Sequence, residues 1–185
     1  LNHVFRVGCG LESQIIGDFE IIGQLKKSFQ NSKYHQMVNG FSERLVNAVI
    51  QASKRIKTET DLSSGATSVS FASVHYILEH VKEVPQKNIL LFGTGKIGRN
   101  TCENLIKHTQ NDKITLVNRS EESAQSVAGK FNLVVKNISK LKTEINYSDI
   151  MIVATGAQDL TVDASFVPND KPLLILDLSV PSNVD

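Results

Sequence analysis

The feature that most restricts how this chain can fold is a glycine turn, Gly93-Thr94-Gly95-Lys96-Ile97-Gly98, set directly after the apolar run Asn88-Ile89-Leu90-Leu91-Phe92. Three glycines in six residues occur in many loops and alone decide little. Here the turn also opens a segment in which Ile97, Thr101, Leu105 and Ile106 recur at helical spacing, so strand, turn and helix follow without a gap. Each glycine then has its own reason to lack a side chain. Gly93 permits the tight turn, Gly95 lets backbone approach a pyrophosphate without a Cβ in the way, and Gly98 lets the helix pack closely on the sheet. The N–H groups of the helix start face the phosphates.

Beyond this turn, short apolar runs alternate with amphipathic segments. The pattern predicts strands over 88–92, 114–117 and 149–154, a weak strand near Leu133 to Val135, and a strand over 173–178. Helices are predicted over 96–108, 121–131 and 138–146. Such alternation implies parallel strands joined by crossovers. The expected fold class is therefore α/β, a Rossmann-type doubly wound parallel sheet preceded by a helical segment.

The tip of the second strand bears on the choice of cofactor, because an acid there bonds the ribose 2′-OH of NAD, whereas an arginine nearby accommodates the 2′-phosphate of NADP. It reads Val117-Asn118-Arg119-Ser120. Asn118 stands twenty positions beyond Gly98, where the acid is expected, and a guanidinium and a hydroxyl follow it. NADPH is the expected cofactor, with Gly93, Thr94, Gly95, Lys96, Ile97, Gly98, Asn118, Arg119 and Ser120 around it. In the structural alternative, Ser120 only caps the helix and Arg119 is a solvated charge. Thr155-Gly156, after the strand ending at Ala154, is the expected site of the nicotinamide half, or else a simple turn.

Before Pro85 the pattern is helical, with no clear strand. Ser42 is placed to cap a helix carrying Leu45, Val49, Ala52 and Ile56, and after a Ser63-Ser64-Gly65 break a second helix should present Val74, Ile77, Leu78 and Val81 on one face. A linker over 83–87 is expected to follow. The boundary between units is drawn at Asp61, giving segments 1–61 and 62–185.

Lys plus Arg number 20 against 19 Asp plus Glu. That balance removes any general electrostatic argument for nucleic-acid or anionic-membrane binding. The only two cysteines, Cys9 and Cys102, stand in no metal-ligand spacing, so no metal is expected and a reducing, cytoplasmic setting is. The longest apolar runs have strand length, so no membrane span is expected. A chain that begins at Leu1 rather than Met is expected to be a piece of a longer protein.

The first 26 residues carry more polar groups than a packing helix needs. His3-Val4-Phe5-Arg6-Val7, Gly10-Leu11-Glu12-Ser13 and Gly17-Asp18-Phe19-Glu20-Ile21-Ile22-Gly23-Gln24-Leu25-Lys26 resemble the end of the catalytic domain of the glutamyl-tRNA reductase family. Lys54-Arg55-Ile56-Lys57-Thr58-Glu59-Thr60, Val117-Asn118-Arg119-Ser120 and Asp177-Leu178-Ser179-Val180-Pro181 extend the resemblance along the whole chain. It implies a homodimeric oxidoreductase that opens tetrapyrrole (porphyrin) biosynthesis by reducing glutamyl-tRNA with NADPH to glutamate-1-semialdehyde, releasing tRNA. In that family a cysteine thiolate forms a thioester that hydride then reduces, a task suited to a good nucleophile that is also a good leaving group.

The family's nucleophile lies upstream of every residue present, so the chain by itself is expected to bind cofactor without turning over. Cys9 falls where the family has a small residue before Gly-Leu, and reads as a small buried thiol, as does Cys102. By the resemblance, His3 matches an active-site histidine able to move a proton or orient the acyl group. Ser13, Asp18, Phe19, Glu20 and Gln24 match positions lining the glutamyl pocket, with Asp18 in place of the family's usual Glu. In the packing alternative, Phe19, Ile21 and Ile22 are core and Gln24 is surface. Two other functions fit less of the chain: a shikimate-dehydrogenase-like NADP-dependent reductase, which needs a Lys–Asp pair, and a non-catalytic dinucleotide-binding module.

Overall fold

The computed structural model describes residues 1–60, 62 and 68–185. The chain divides into two compact units, Leu1–Ala72 and Ser73–Asp185. The Asp61 boundary and the Ser63-Ser64-Gly65 break lie outside the described residues.

Three helices make up most of the first unit: α1 (Asn2–Gly8), α2 (Glu20–Tyr34) and α3 (Gly40–Glu59). The start of α3 differs from expectation. Asn39, not Ser42, is the cap: its side chain accepts from the Ser42 amide at 2.9 Å, while the Ser42 hydroxyl accepts from the Asn39 amide at 3.0 Å. This reciprocal box satisfies two donors that the first helical turn cannot pair internally, and it lets the helix begin at Gly40, three residues earlier. Val49 is fully buried on α3, and a Cβ on Gly8 would sit 2.2 Å from its Cγ1, so α1 meets α3 at a glycine.

A fourth helix, α4 (Val69–His80), carries Val74 and Ile77 into the core of the second unit. Leu78 is 43% exposed, contrary to its expected place on the buried face. Four residues after Val74 and one after Ile77, it sits at the edge of a narrow apolar stripe that Val74, Ile77 and Val81 already fill. The segment predicted as a linker is a 3-10 turn, Val84–Gln86. It is not loose, because Val84 is buried and the amide of buried Asn111 donates to the carbonyls of Val84 and Lys87.

The second unit is built on a five-stranded parallel sheet in the order β3-β2-β1-β4-β5. The strands are β1 (Ile89–Phe92), β2 (Ile114–Asn118), β3 (Val134–Asn137), β4 (Ile150–Val153) and β5 (Leu174–Asp177), and the helices α5 (Lys96–Thr109), α6 (Glu121–Ala128) and α7 (Leu141–Tyr147) connect them. Each central strand is apolar on both faces, as a sheet covered on both sides requires. Ile89, Leu91, Ile114, Leu116, Ile150 and Ile152 face one core with Cys102 and Leu105 of α5. Leu90, Phe92, Val117, Met151 and Val153 face the other, with Leu141 and Ile145 of α7. Each such fully buried side chain contributes about 1.5–3 kcal/mol over its exposed state. The predicted helix 121–131 stops at Ala128, because residues 129–133 turn sharply back to deliver β3.

Candidate functional site

Reversal of strand order on either side of β1 leaves a crevice between the carboxyl ends of β1 and β4, the place where open parallel sheets take ligands. A cavity of about 470 Å³ occupies it, lined by the glycine turn, the β2 tip and the loop after β4.

The three glycines differ in what excludes a side chain. Gly93 has φ +105, and a Cβ there would lie 2.4 Å from the Ala154 carbonyl oxygen, so the turn must run against the end of β4. A Cβ on Gly98 would lie 2.0 Å from the Gly93 oxygen, which fixes how closely α5 approaches the turn. A Cβ on Gly95 would meet nothing within 4 Å. Its absence does not serve packing; it leaves backbone bare beside the cavity, the fit a pyrophosphate needs. No side chain caps the first turn of α5, which begins at Lys96. Lys96, Ile97 and Gly98 form that turn and lie outside the cavity lining, whereas Arg99, one residue on, lines it.

Asn118 ties the turn to the strand tip. Its Oδ1 accepts from the Thr94 amide at 3.2 Å and its Nδ2 donates to the Ser120 carbonyl at 2.9 Å. Buried Thr94 also shares a hydroxyl–hydroxyl bond of 3.0 Å with Ser123. Ser120 caps α6, accepting from the Ser123 amide, so the capping alternative holds for this hydroxyl while the residue still lines the cavity. Arg119 is exposed at the cavity wall, and among the described residues it forms no ion pair. Thr155, Gly156 and Ala157 close the opposite side, with Thr161 beyond them.

Sequence reasoning missed Arg99, Ser123, Ile138 and Thr161 in this lining. Arg99 was the most accessible of these, since it directly follows the last turn glycine. The others reach the cavity only through folding of distant segments.

The residues assigned to a substrate pocket are less concentrated. Asp18 and Phe19 line a cavity of about 240 Å³ in the first unit, together with Cys9, Lys26, Lys54 and Lys57. His3, Ser13, Glu20 and Gln24 are not in its lining. His3 is exposed on α1, and Gln24 is exposed on α2. The Asp18 carboxylate accepts from the Glu20 amide at 2.8 Å and so anchors the start of α2, for which the shorter acid suffices. Ser13 accepts from the Ile15 amide at 3.1 Å. Phe19 is 44% exposed with the Lys57 ammonium 5.2 Å from its ring centre, so it is not core. Both thiols are buried and free; burial raises that of Cys9, and burial with nearby Glu103 pushes Cys102 up to about 11. Neither is an activated nucleophile.

Among the described residues there is no cluster of three or more metal-ligating side chains, and no helix long and apolar enough to cross a membrane.

A glycine turn feeding a helix, a 3-2-1-4-5 parallel sheet and a crevice at its switch point together define a dinucleotide-binding domain of the dehydrogenase class. Residues 76–185 match the family model described as Shikimate / quinate 5-dehydrogenase, and residues 1–60 match that described as Glutamyl-tRNAGlu reductase, N-terminal domain. The chain is 65% identical over 184 residues to the glutamyl-tRNA reductase of Christiangramia forsetii, covering 100% of this chain and 44% of that protein. It is 62% identical over 185 residues to glutamyl-tRNA reductase 2 of Flavobacterium johnsoniae, covering 100% and 43%. Among solved structures, glutamyl-tRNA reductase from Methanopyrus kandleri matches with a TM-score of 0.60 at 26% identity, over 99% of this chain and 47% of that one. The chain belongs to the glutamyl-tRNA reductase family, with a domain of the shikimate/quinate dehydrogenase type as its second unit. It spans less than half the length of the curated relatives it matches.

Proposed function

We propose that the protein to which this chain belongs reduces glutamyl-tRNA to glutamate-1-semialdehyde with NADPH, releasing tRNA at the entry to tetrapyrrole synthesis, and that the second unit holds the cofactor. The observation that carries the cofactor half is the Arg119 guanidinium on the wall of a cavity that also contains the bare Gly95 backbone. Arg119 and the Ser120 hydroxyl take the 2′-phosphate, whose charge a guanidinium fork matches in two hydrogen bonds. Gly93 to Gly98 and the start of α5 receive the pyrophosphate. Thr155 and Gly156 receive the nicotinamide half. When bound, NADPH supplies the hydride that reduces the acyl carbon.

In the first unit His3 moves a proton or orients the acyl group, and Asp18 and Phe19, which line its cavity, hold the glutamyl group together with Ser13, Glu20 and Gln24, which lie outside that lining. What supports this is the match of residues 1–60 to the reductase's own N-terminal domain model, which also weighs against a shikimate-type activity. The whole protein acts as a homodimer in the reducing cytoplasm, a setting that two free buried thiols suit.

Calorimetric titration of the chain with NADPH and NADH, with and without Arg119→Ala, tests the assignment. The expected result is preference for NADPH, lost in the variant by about tenfold or more in affinity. Equal binding of the two cofactors, or an NADPH preference unchanged by the substitution, refutes the 2′-phosphate role. Reduction of glutamyl-tRNA by the full-length protein tests the activity.

A further inference from the structure

The loop that borders the far side of the cavity has no regular structure, yet it is held by a polar network rooted in the last strand. Asp177, at the end of β5, accepts three backbone amides: Ser179 at 3.0 Å on Oδ1, and Asn183 at 2.6 Å and Val184 at 3.1 Å on Oδ2. Those bonds fold residues 177–184 into a compact turn that presents Asn183, fully buried, to the loop after β4. The Asn183 Oδ1 accepts from the Thr155 hydroxyl, and its Nδ2 donates to the carbonyls of Ala157 at 3.2 Å and Pro181 at 3.1 Å. Its own carbonyl accepts from the amides of Thr161 at 2.9 Å and Val162 at 3.0 Å. Ser179 adds a further tie by accepting from the Thr155 amide at 3.2 Å.

We propose that Asn183, held in place by Asp177, is a positioning residue for the nicotinamide half of the cofactor: it fixes Thr155, Ala157 and Thr161, three cavity-lining residues, while touching none of the adenosine side. This inference rests on the reading that the cavity binds NADPH. An amide suits the task because it alone offers an acceptor to the Thr155 hydroxyl and two donors to the Ala157 and Pro181 carbonyls. Its burial makes the bonds costly to lose, since the partners left behind are only partly reached by water. The adenosine side is fixed independently, through Asn118, Thr94 and Ser123. Disturbing Asn183 therefore affects one end of the cofactor and spares the other.

The test compares NADPH with adenosine 2′,5′-bisphosphate, which carries the 2′-phosphate but no nicotinamide, on the 185-residue chain. Asn183→Ala is expected to weaken NADPH about tenfold, equivalent to about 1.4 kcal/mol, with the bisphosphate affinity unchanged. Thr155→Val, which keeps shape but removes the hydroxyl, reproduces part of that loss, and the double variant loses less than the sum of the two because they share the Thr155–Asn183 bond. Hydrogen exchange in the absence of ligand is expected to rise over residues 155–162 and stay constant over 89–98. Equal losses for both ligands reveal general destabilisation and overturn the proposal, as does NADPH binding that neither variant alters. Failure of the unaltered chain to bind either ligand overturns the cofactor reading itself, and the proposal with it.

Discussion

Two alanine substitutions three residues apart should have opposite consequences. At Gly98 the added Cβ lies 2.0 Å from the Gly93 oxygen and 2.9 Å from its carbon, both backbone atoms that cannot swing aside. The contact has to open by about 1 Å to reach the shortest separations real Cβ atoms show. Overpacking of this kind costs about 1–3 kcal/mol, which for a chain of this size lowers Tm by roughly 2–12 °C. At Gly95 the added Cβ meets nothing, and the residue's φ of −66 and ψ of −169 suit alanine. Reduced freedom of the unfolded chain stabilises by about 0.4–1 kcal/mol, and the poorer helix cap costs about as much, so Tm should stay within about 3 °C. That methyl nevertheless points into the space assigned to the pyrophosphate, and NADPH affinity should fall at least about tenfold.

Thermal unfolding by circular dichroism, paired with NADPH titration of each variant, separates the two effects. Gly98→Ala is expected to lose stability, and Gly95→Ala to lose affinity on an intact fold. If Gly95→Ala binds NADPH as tightly as the unaltered chain, the pyrophosphate does not pass over this backbone and the assignment of the turn is wrong. If Gly98→Ala melts at the original temperature, the close approach of α5 to the turn is not what the glycine protects.

Two further outcomes follow from burial and capping. The Cys102 thiol is raised from 9.0 to about 11 by burial first and Glu103 second, so its part of the folding stability is complete below about pH 9 and is lost as pH rises toward about 11. Urea midpoints measured at about pH 8 and about pH 10.5 should therefore fall less steeply with pH in Cys102→Ala than in the unaltered chain, and identical slopes would refute the shift. Asn39→Ala removes the acceptor for the Ser42 amide and should cost about 1 kcal/mol in urea unfolding of the first unit, whereas Ser42 acting as the cap would leave the midpoint unmoved.

The strands and helices of the second unit were legible because sequence period and burial coincide there. β1 and β4 are apolar at every position and are bounded by Asn88 and Gly93, or by Asp149 and Thr155, so their limits follow from local composition. The start of α3 was not, because its capping box ends in Ser42 rather than Glu or Gln, and Ser42 by itself imitates an N-cap. Leu78 misled for a related reason: periodicity says which residues can share a face, but not how wide a stripe the neighbouring element covers. Segment 83–87 reads as a linker from Pro85 and its charges, but burial of Val84 and a side chain more than twenty residues downstream, Asn111, hold it in place.

The cavity shows the same division in sharper form. Its glycines could be read from sequence because each answers to a local constraint, the end of a strand or the start of a helix. Arg119 could be read because position beyond the glycine turn defines a strand tip. Asn118 was readable as the absence of an acid, yet its two hydrogen bonds show why an amide stands there: Oδ1 faces an amide donor on Thr94 and Nδ2 faces the Ser120 carbonyl. A carboxylate would keep the first bond and set a negative charge against the second, whatever cofactor is bound. Replacing Asn118 by an acid would therefore disturb the glycine turn itself. That makes Arg119, whose side chain forms no ion pair among the described residues, the cleaner position at which to test the proposed cofactor preference.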